Sequence, residues 1–207
     1  MDDLDDIIKA YDVRGIYPDQ LDATLARNVG AAFVRVLKIA TSDGGPGAVV
    51  VGWDMRPSGP ELVDAFADGV TSQGVDVIKI GLASTDGLYF AAGRLALHGA
   101  MFTASHNPAQ YNGIKLCRPG AAPVGQDSGL ADIKAMIRAG VPTSDGPRGS
   151  ISNRDMLADY AAHLRALVDI ESIRPLTVVV DGRSTARTLH RHGRIRRALV
   201  GRVHGHG

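Results

Sequence analysis

The segment Thr103-Ala-Ser-His-Asn-Pro108 holds the side chains of this chain that are best suited to group transfer. Ser105 supplies a hydroxyl that could carry a transferred group, and the adjacent His106 is a residue type that titrates near neutral pH. The proline at the end of the segment keeps Asn107 out of the helical region, and backbone N–H groups in such a turn can bind an anion. Lys115 could return to the same place along the next strand. The pattern is typical of a serine that carries or transfers a phosphoryl group.

Two other interpretations of this segment stay open. Ser-His-Asn-Pro is also common turn chemistry, because its side chains bond to the local backbone and its proline fixes one dihedral angle. A Ser-His-Asp hydrolase is disfavoured, because Ser105 and His106 are adjacent and their side chains diverge. The chain also has no G-x-S-x-G nucleophile elbow.

The elements that must position these residues alternate between strands and helices. Continuous apolar runs at Ala48–Trp53 and Gly99–Ala104 predict strands that are buried on both faces. Ligands tend to bind beyond the carboxyl ends of such strands. Three polar groups follow predicted strands, at Tyr11–Gly15, Asp54–Ser58 and Ser105–Asn112. We therefore predict an α/β fold with a mixed, mostly parallel sheet flanked by helices.

Apolar spacing and capping residues predict the other elements of a first domain over residues 1–150. The predicted strands are Ile7–Ile16, Val75–Ile80, Tyr111–Leu116 and Ala122–Val124, and the predicted helices lie after Asp22, from Pro60, after Ser84 or Thr85, and over Gly129–Ala139. A Pro/Gly/Ser-rich linker at Gly140–Ser152 follows, and we expect an incomplete second α/β domain over residues 153–181, with a strand at Leu176–Val180.

Residues 182–207 form a basic tail with seven arginines and no acidic residue. The net charge of +1 therefore combines +7 in the tail with −6 in the rest of the chain. We expect the tail to be disordered or a weak basic helix. Non-specific polyanion binding by the tail is an alternative, but an accidental run of charge is favoured over it.

Composition limits the class of protein. With 44% hydrophobic and 22% charged residues among 207, the chain has enough apolar side chains for a core, so a mainly disordered protein is excluded. Aromatic residues are only 5%, which argues against a base-stacking surface, and we expect no nucleic-acid partner. No apolar run is long enough to span a membrane. A lone Cys117 suits a reducing compartment, so we expect a cytoplasmic protein.

The segment Thr103–Pro108, followed by Tyr111-Asn-Gly-Ile-Lys115, resembles the active-site signature of the α-D-phosphohexomutases, the phosphomannomutase/phosphoglucomutase family. Tyr11-Asp-Val-Arg-Gly15 resembles an N-terminal motif of the same family. Val51-Gly-Trp-Asp-Met-Arg-Pro-Ser58 looks like its second-strand motif. The three motifs occur in the family's order, and the resemblance runs from about Ile7 to Val180.

The resemblance implies that the protein interconverts hexose 1-phosphates and 6-phosphates of mannose or glucose through a bisphosphate such as glucose 1,6-bisphosphate. It implies a phosphoserine at Ser105 whose oxygen is one ligand of a Mg²⁺ ion. Arg14 and Lys115 would then be cations near the phosphoryl group, and His106 would help proton transfer. The implied substrate-binding residues are Tyr11, Asn107 and Asn112.

Several of these roles have plainer alternatives. A surface ion pair for Arg14, a buried strand position for Tyr11, a turn-stabilising role for His106 and a solvated position for Lys115 all stay open. Asn107 and Asn112 also suit a loop-shaping role. For Asp54 and Arg56, an ion pair at the end of a strand is favoured over a contact that supports the site.

The sequence also departs from the family pattern. The Asp-Gly-Asp-x-Asp-Arg loop that supplies the family's metal-binding aspartates is not found, and neither is its later sugar-recognition loop. After Asp181 the sequence reads GRSTARTLHRHGR, which suggests a truncated or frameshifted product. We therefore expect an inactive fragment of a mutase. The alternative is a non-catalytic phosphosugar-binding or interaction module.

Overall fold

The computed structural model describes residues 4–39, 47–169, 172 and 174, which fall into two compact units. Unit 1 spans Met1–Asp155 and unit 2 spans Met156–Gly207. The predicted strand at Leu176–Val180 and the basic tail lie outside the described residues. The domain limits predicted from the sequence therefore stay predictions.

One mixed sheet forms the centre of unit 1. The part of the chain that the structure describes contains seven strands, namely β1 (Val13–Ile16), β2 (Ala48–Trp53), β3 (Asp76–Leu82), β4 (His98–Phe102), β5 (Tyr111–Arg118), β6 (Ala122–Pro123) and β7 (Ile151–Asn153). Their order is β1-β5-β4-β2-β3-β7, with β6 paired to β5. The β4–β2–β3–β7 portion is parallel, and β5 pairs antiparallel with β1, β4 and β6. The predicted mixed, mostly parallel sheet is confirmed.

The described helices are α1 (Leu4–Ile7), α2 (Ala23–Leu37), α3 (Gly59–Thr71), α4 (Thr85–Leu95), α5 (Leu130–Ala139) and, in unit 2, α6 (Leu157–Ala166). Asp22 caps α2 by accepting a hydrogen bond from the Leu25 N–H at 2.7 Å. Ser84 caps α4 in the same way by accepting from the Gly87 N–H at 3.0 Å. These caps satisfy N–H groups that lack a partner inside the helix. No described helix is long and apolar enough to cross a membrane.

Helices cover both faces of the sheet, because side chains along a strand alternate between its faces. On one face, Phe102 of β4 packs edge-on against Phe66 of α3, with ring centroids 5.4 Å apart. On the other face, a Cβ added to Gly99 would lie within 3.5 Å of Val50, Cys117 and Ala92 of α4. Unit 1 is therefore a three-layer α/β/α structure.

Helices α2 and α3 approach each other closely at two glycines. A Cβ on Gly30 of α2 would lie 2.3 Å from the Phe66 carbonyl oxygen of α3. A Cβ on Gly69 of α3 would lie 2.0 Å from the Arg27 carbonyl oxygen of α2. Both glycines are needed for the two backbones to come this near.

Two segments of unit 1 differ from the sequence-based prediction. The predicted strand Ile7–Ile16 is instead α1 followed by β1, and an isolated bridge joins Ile8 to Val13. The chain therefore turns back on itself where the prediction has it extended. Part of the predicted linker Gly140–Ser152 is β7, which pairs in parallel with β3 at the sheet edge. Its three residues are all exposed, so the segment carries no apolar alternation that would mark it as a strand.

Candidate active site

Two loops meet at the carboxyl ends of β2 and β4 because these strands are parallel neighbours in the sheet. Trp53 and Phe102 are paired in register, and the Asp54 N–H donates to the Phe102 carbonyl at 3.0 Å. Residues 54–58 and 103–112 therefore lie side by side, as expected for polar groups that follow parallel strands.

Ser105 is exposed and has a left-handed backbone conformation, with φ of 55°. Its N–H donates to the Thr103 hydroxyl oxygen at 2.9 Å, and Thr103 itself is buried. The Ser105 Oγ lies 3.3 Å from His106 Nδ1, so the two side chains meet, although their adjacency in the sequence predicts that they diverge. A left-handed backbone is strained for a residue other than glycine. Lys38 and Ala96 adopt it at the ends of helices, whereas Ser105 adopts it in a loop, where such strain is often found at functional sites. The geometry thus presents a serine hydroxyl to solvent next to an imidazole.

Arg56 anchors the serine loop, which comprises residues 103–111. Its guanidinium donates from Nη2 to the carbonyls of Ser105 and Asn107, each at 2.9 Å. It donates from Nη1 to the carbonyls of Pro108 and Tyr111, each at 2.8 Å. Only 7% of the Arg56 side chain is exposed. Four backbone carbonyls of one loop therefore converge on a single buried cation.

Asp54 completes this buried network. Its Oδ1 accepts from the Arg56 N–H at 3.1 Å, and its Oδ2 accepts from Arg56 Nε at 3.2 Å. The same Oδ2 accepts from the Thr103 hydroxyl at 2.7 Å. An ion pair at the end of a strand was favoured for these two residues, and the structure contains that pair. It also ties the pair to the loop, which is the supporting contact that the sequence left as the less favoured alternative.

A second charged group lies at β1 and β5, where Asp12, the residue before β1, bridges two cations. Asp12 accepts from Arg14 Nη2 at 2.5 Å and from Lys115 Nζ at 3.2 Å. The antiparallel register pairs Arg14 with Gly113, so Arg14 and Lys115 point to the same face of the sheet. The Arg14 Nε is a buried side-chain nitrogen without a hydrogen-bond partner among the described residues.

Gly113 of β5 lies between the Asp12 group on one side and the start of the serine loop on the other. Its carbonyl accepts from the Thr103 N–H at 3.0 Å. A Cβ at this position would lie 2.6 Å from the Val13 carbonyl oxygen and 2.9 Å from the Thr103 carbonyl oxygen. A side chain here would therefore force β1 away from the start of the serine loop.

The predicted substrate-binding residues have different surroundings. Tyr11 is 81% exposed, which excludes the alternative that it is a buried strand residue. Asn107 is partly exposed, and its carbonyl accepts from Arg56. Asn112 is fully buried, where its amide donates to Ser58 Oγ at 2.8 Å and its Oδ1 accepts from the Gly113 N–H at 2.8 Å. This geometry suits a role for Asn112 in fixing the start of β5 rather than in touching a sugar.

The lone cysteine does not compete with Ser105 as a nucleophile. Burial raises the pKa of the Cys117 thiol to about 11, so it stays protonated at neutral pH. A protonated thiol is a poor nucleophile.

The described residues do not fit a Mg²⁺ site. Among them, no group of three or more His, Cys, Asp or Glu side chains could hold a metal ion. Asp12 and Asp54 are each held by basic side chains instead. The predicted magnesium site therefore finds no set of protein ligands in this part of the chain.

Two residues of this region make contacts that the sequence does not predict. Arg56 acts on a loop about 50 residues further along the chain, and only the pairing of β2 with β4 brings the two together. Sequence reasoning does not single out Asp12, although it lies between Tyr11 and Arg14. The signal available for Asp12 was its place as the acidic residue of the Tyr-Asp-Val-Arg-Gly motif.

The chain is similar to known proteins over most of its length. Residues 5–143 match the family model described as phosphoglucomutase/phosphomannomutase, alpha/beta/alpha domain I. A phosphomannomutase of Salmonella montevideo is 38% identical over 176 residues, and a protein named phosphohexose mutases of Xanthomonas campestris pv. campestris (strain B100) is 40% identical over 174. Each alignment covers 84% of this chain.

A solved structure gives the same result. The X-ray structure of a phosphoglucomutase/phosphomannomutase family protein from Burkholderia thailandensis superposes with a TM-score of 0.69 at 38% identity, covering 84% of this chain and 38% of that one. The chain spans 37% of the length of the curated relatives named above. The family model covers well over half of the chain, and the chain belongs to the phosphoglucomutase/phosphomannomutase family, of which it contains the α/β/α domain I.

Proposed function

We propose that this domain serves a phosphohexomutase, which interconverts hexose 1-phosphates and hexose 6-phosphates, that Ser105 carries the transferred phosphoryl group, and that the chain by itself does not complete the cycle. The observation that supports this most directly is the Ser105 hydroxyl itself. It is exposed, lies 3.3 Å from an imidazole nitrogen, and sits on a strained backbone that buried hydrogen bonds hold in place. Relatives named phosphomannomutase and phosphohexose mutases support the reaction class.

In the proposed transfer, phosphoserine 105 donates its phosphoryl group to the free hydroxyl of a hexose phosphate. A bond forms between the sugar oxygen and phosphorus while the bond between phosphorus and Ser105 Oγ breaks. The sugar hydroxyl loses its proton, and Ser105 Oγ gains one. The resulting hexose bisphosphate then returns its other phosphoryl group to Ser105, so the serine is phosphorylated again and the product leaves as the isomeric monophosphate.

His106 is the proposed proton carrier for this exchange. Its Nδ1 is within reach of Ser105 Oγ, and an imidazole can accept and release a proton at neutral pH. Its exposure also leaves it accessible to a sugar hydroxyl.

Arg14 and Lys115 are the proposed cations for the phosphoryl oxygens. A planar guanidinium suits two phosphoryl oxygens at once, and an ammonium group adds a point charge. Asp12 neutralises part of their charge and fixes both on one side of β5. The exposed ring of Tyr11 and the loop residue Asn107 are proposed to contact the sugar. For Asn112 we propose the positioning role that its burial favours.

The described residues alone provide no cluster of metal-binding side chains, and the steps above assign roles only to this chain's own residues. An oxygen of a phosphorylated Ser105 remains the proposed protein-borne ligand for Mg²⁺, with further ligands from outside the described residues. Mannose and glucose phosphates are the proposed substrates, with glucose 1,6-bisphosphate as the phosphoryl donor. The lone buried cysteine supports a cytoplasmic location.

The test is the intact mass of the full chain before and after treatment with a phosphatase and then with glucose 1,6-bisphosphate and Mg²⁺. We expect the mass of one phosphoryl group, mapped by tryptic peptides to Ser105. The variant Ser105→Ala should remain unmodified under the same conditions. A wild-type chain that never acquires the group would overturn the proposal.

A second candidate function is binding of phosphosugars without turnover. The observation that favours it is that the described residues hold no cluster of acidic side chains for a metal. Calorimetry with glucose 1-phosphate distinguishes the two functions when combined with the mass measurement. Heat of binding with no phosphate on Ser105 supports the second candidate, whereas no heat counts against it.

A further inference from the structure

We propose that Arg56 is the positioning residue of the serine loop, and that it holds the loop in the one arrangement that lets Ser105 accept and release a phosphoryl group. This inference rests on the proposed function. Arg56 itself does not touch the phosphoryl group in this proposal; it acts through the backbone of residues 105–111.

The first support is the complete use of the guanidinium. An arginine side chain has five N–H donors in a fixed fork. In this structure Nε serves Asp54, Nη1 serves Pro108 and Tyr111, and Nη2 serves Ser105 and Asn107. No donor remains for a substrate, and the side chain is buried. Arg56 is therefore placed for holding a loop and not for binding an anion.

The second support is the direction that Arg56 imposes on the peptide groups of the loop. In a trans peptide the N–H points opposite to the preceding C=O. The carbonyl oxygens of Ser105 and Pro108 point toward Arg56. The backbone N–H groups of the residues that follow, His106 and Ala109, therefore point away from it. Both of these residues are exposed. The buried cation therefore turns these two carbonyl oxygens away from the outer side of the loop and leaves the His106 and Ala109 N–H groups there, which favours an anion.

The third support is the link from Arg56 to the Ser105 backbone through Asp54 and Thr103. Asp54 accepts from both Arg56 and the Thr103 hydroxyl, and the Thr103 oxygen accepts from the Ser105 N–H. Ser105 is therefore fixed at its N–H by Thr103 and at its C=O by Arg56. These two contacts hold its left-handed backbone against relaxation.

The experiment compares the full wild-type chain with Arg56→Lys and Arg56→Gln, and uses Arg27→Gln as a matched control. Arg27 is an exposed arginine paired to Asp68 on helices α2 and α3, away from the loop. Each purified chain is dephosphorylated and mixed with glucose 1,6-bisphosphate and Mg²⁺, and the rate of phosphate uptake at Ser105 is followed by intact mass. Urea unfolding and circular dichroism establish that each variant is folded.

We expect folded Arg56→Gln and Arg56→Lys to take up phosphate at least about 100-fold more slowly than wild type, because a loop displaced by about 1 Å loses that much. Lysine keeps the charge but cannot span four carbonyls, so it should not restore the rate. Arg27→Gln should match wild type. Phosphate uptake at the wild-type rate by either folded Arg56 variant would overturn the inference. If Arg56→Gln does not fold, Arg56→Lys decides the question alone.

Hydrogen exchange at the Asn107 and Tyr111 amides separates this inference from the proposed function. Both amides donate to carbonyls within the loop, of Ala104 and Pro108, each at 3.0 Å. If the wild-type chain takes up no phosphate, the proposed function fails and exchange alone judges Arg56. Faster exchange of these two amides in Arg56→Lys supports positioning by Arg56, and unchanged exchange rejects it.

Discussion

Two of the arginine–aspartate sites in unit 1, the pair at the serine loop and the group around Asp68, differ in burial. At the serine loop, the side chains of Arg56 and Asp54 are 7% and 15% exposed. On helices α2 and α3, Asp68 accepts from Arg27 Nε at 2.5 Å and from Arg148 Nη2, and all three side chains are about half exposed. The residue types are the same at both sites. Of the two, only the pair Arg56–Asp54 holds a whole loop, because Arg56 donates to four of its backbone carbonyls.

From this difference we infer that a buried, charged hydrogen-bond network holds the serine loop in place, whereas close packing holds helices α2 and α3 together. Water screens the pairs around Asp68, so they add little to stability. Helices α2 and α3 are joined instead by the close backbone approach at Gly30 and Gly69 and by the buried rings of Phe33 and Phe66, whose centroids are 6.3 Å apart. Residues 105–111 of the serine loop, by contrast, contribute no buried apolar side chain.

The largest effect should come from Arg56→Ala, because it leaves the Asp54 carboxylate and four carbonyls without their shared donor. Removing one partner of a buried ion pair costs about 3–5 kcal/mol of the free energy of unfolding. Urea denaturation measures this loss. Arg148→Ala is the matched change at the exposed pair and should cost less than about 1 kcal/mol. Similar losses in the two variants would break the comparison.

A smaller loss is expected for Gly30→Ala at the helix pair. The new Cβ would meet the Phe66 carbonyl oxygen at 2.3 Å, so the helices must separate, at a cost of about 1–3 kcal/mol. Gly93→Ala in α4 is the control, because a Cβ there has no neighbour within 4 Å. That substitution should stabilise the protein by about 0.5–1 kcal/mol, since alanine is the better helix former. Thermal unfolding of both variants gives the sign and size of each effect.

The smallest effect concerns the pH dependence of stability at Asp68. Its hydrogen bond from Arg27, and then that from Arg148, lower the pKa of the Asp68 carboxyl below its ordinary value of 3.8. The stabilisation that the ionised Asp68 carboxylate contributes is therefore complete above pH 3.8, and it is lost as the pH falls through the lowered pKa of the folded state. Because the group is half exposed, the loss should stay below about 1 kcal/mol.

Unfolding of wild type and Asp68→Asn at pH 6 and at pH 3 measures the Asp68 contribution. Wild type should lose slightly more stability than the variant between these two values. A larger loss in Asp68→Asn than in wild type would contradict the assignment of the lowered pKa.

Local patterns predicted the elements that depend on local interactions. The apolar run at Ala48–Trp53 is β2 with the bounds that were predicted, and Asp22 caps α2 as expected. Their signals are carried by neighbouring residues, namely continuous burial in a strand and a side chain bonding to the N–H three residues on. The ends of β3 and β4 shift by one or two residues, as helix and strand ends commonly do.

Interactions between distant segments could not be predicted in the same way. The five bonds of Arg56 depend on which strands become neighbours and on the loop's final shape. The exposed β7 is a strand only because β3 offers it an edge. For the site, the residue types around Ser105 were recognisable from the sequence, but the buried network that orients them was not.

The left-handed backbone at Ser105 has a consequence for anyone who replaces this residue. Alanine at φ 55° keeps the backbone strain, whereas glycine adopts that conformation freely. The two replacements remove the same hydroxyl but differ by about 1 kcal/mol in backbone strain. Ser105→Gly would therefore be the more stable of the two variants. It would also be more stable than wild type, because the backbone strain at this position is removed. The chain thus keeps a strained backbone at the residue that carries the exposed hydroxyl, and the proposed role of that hydroxyl would account for the lost stability.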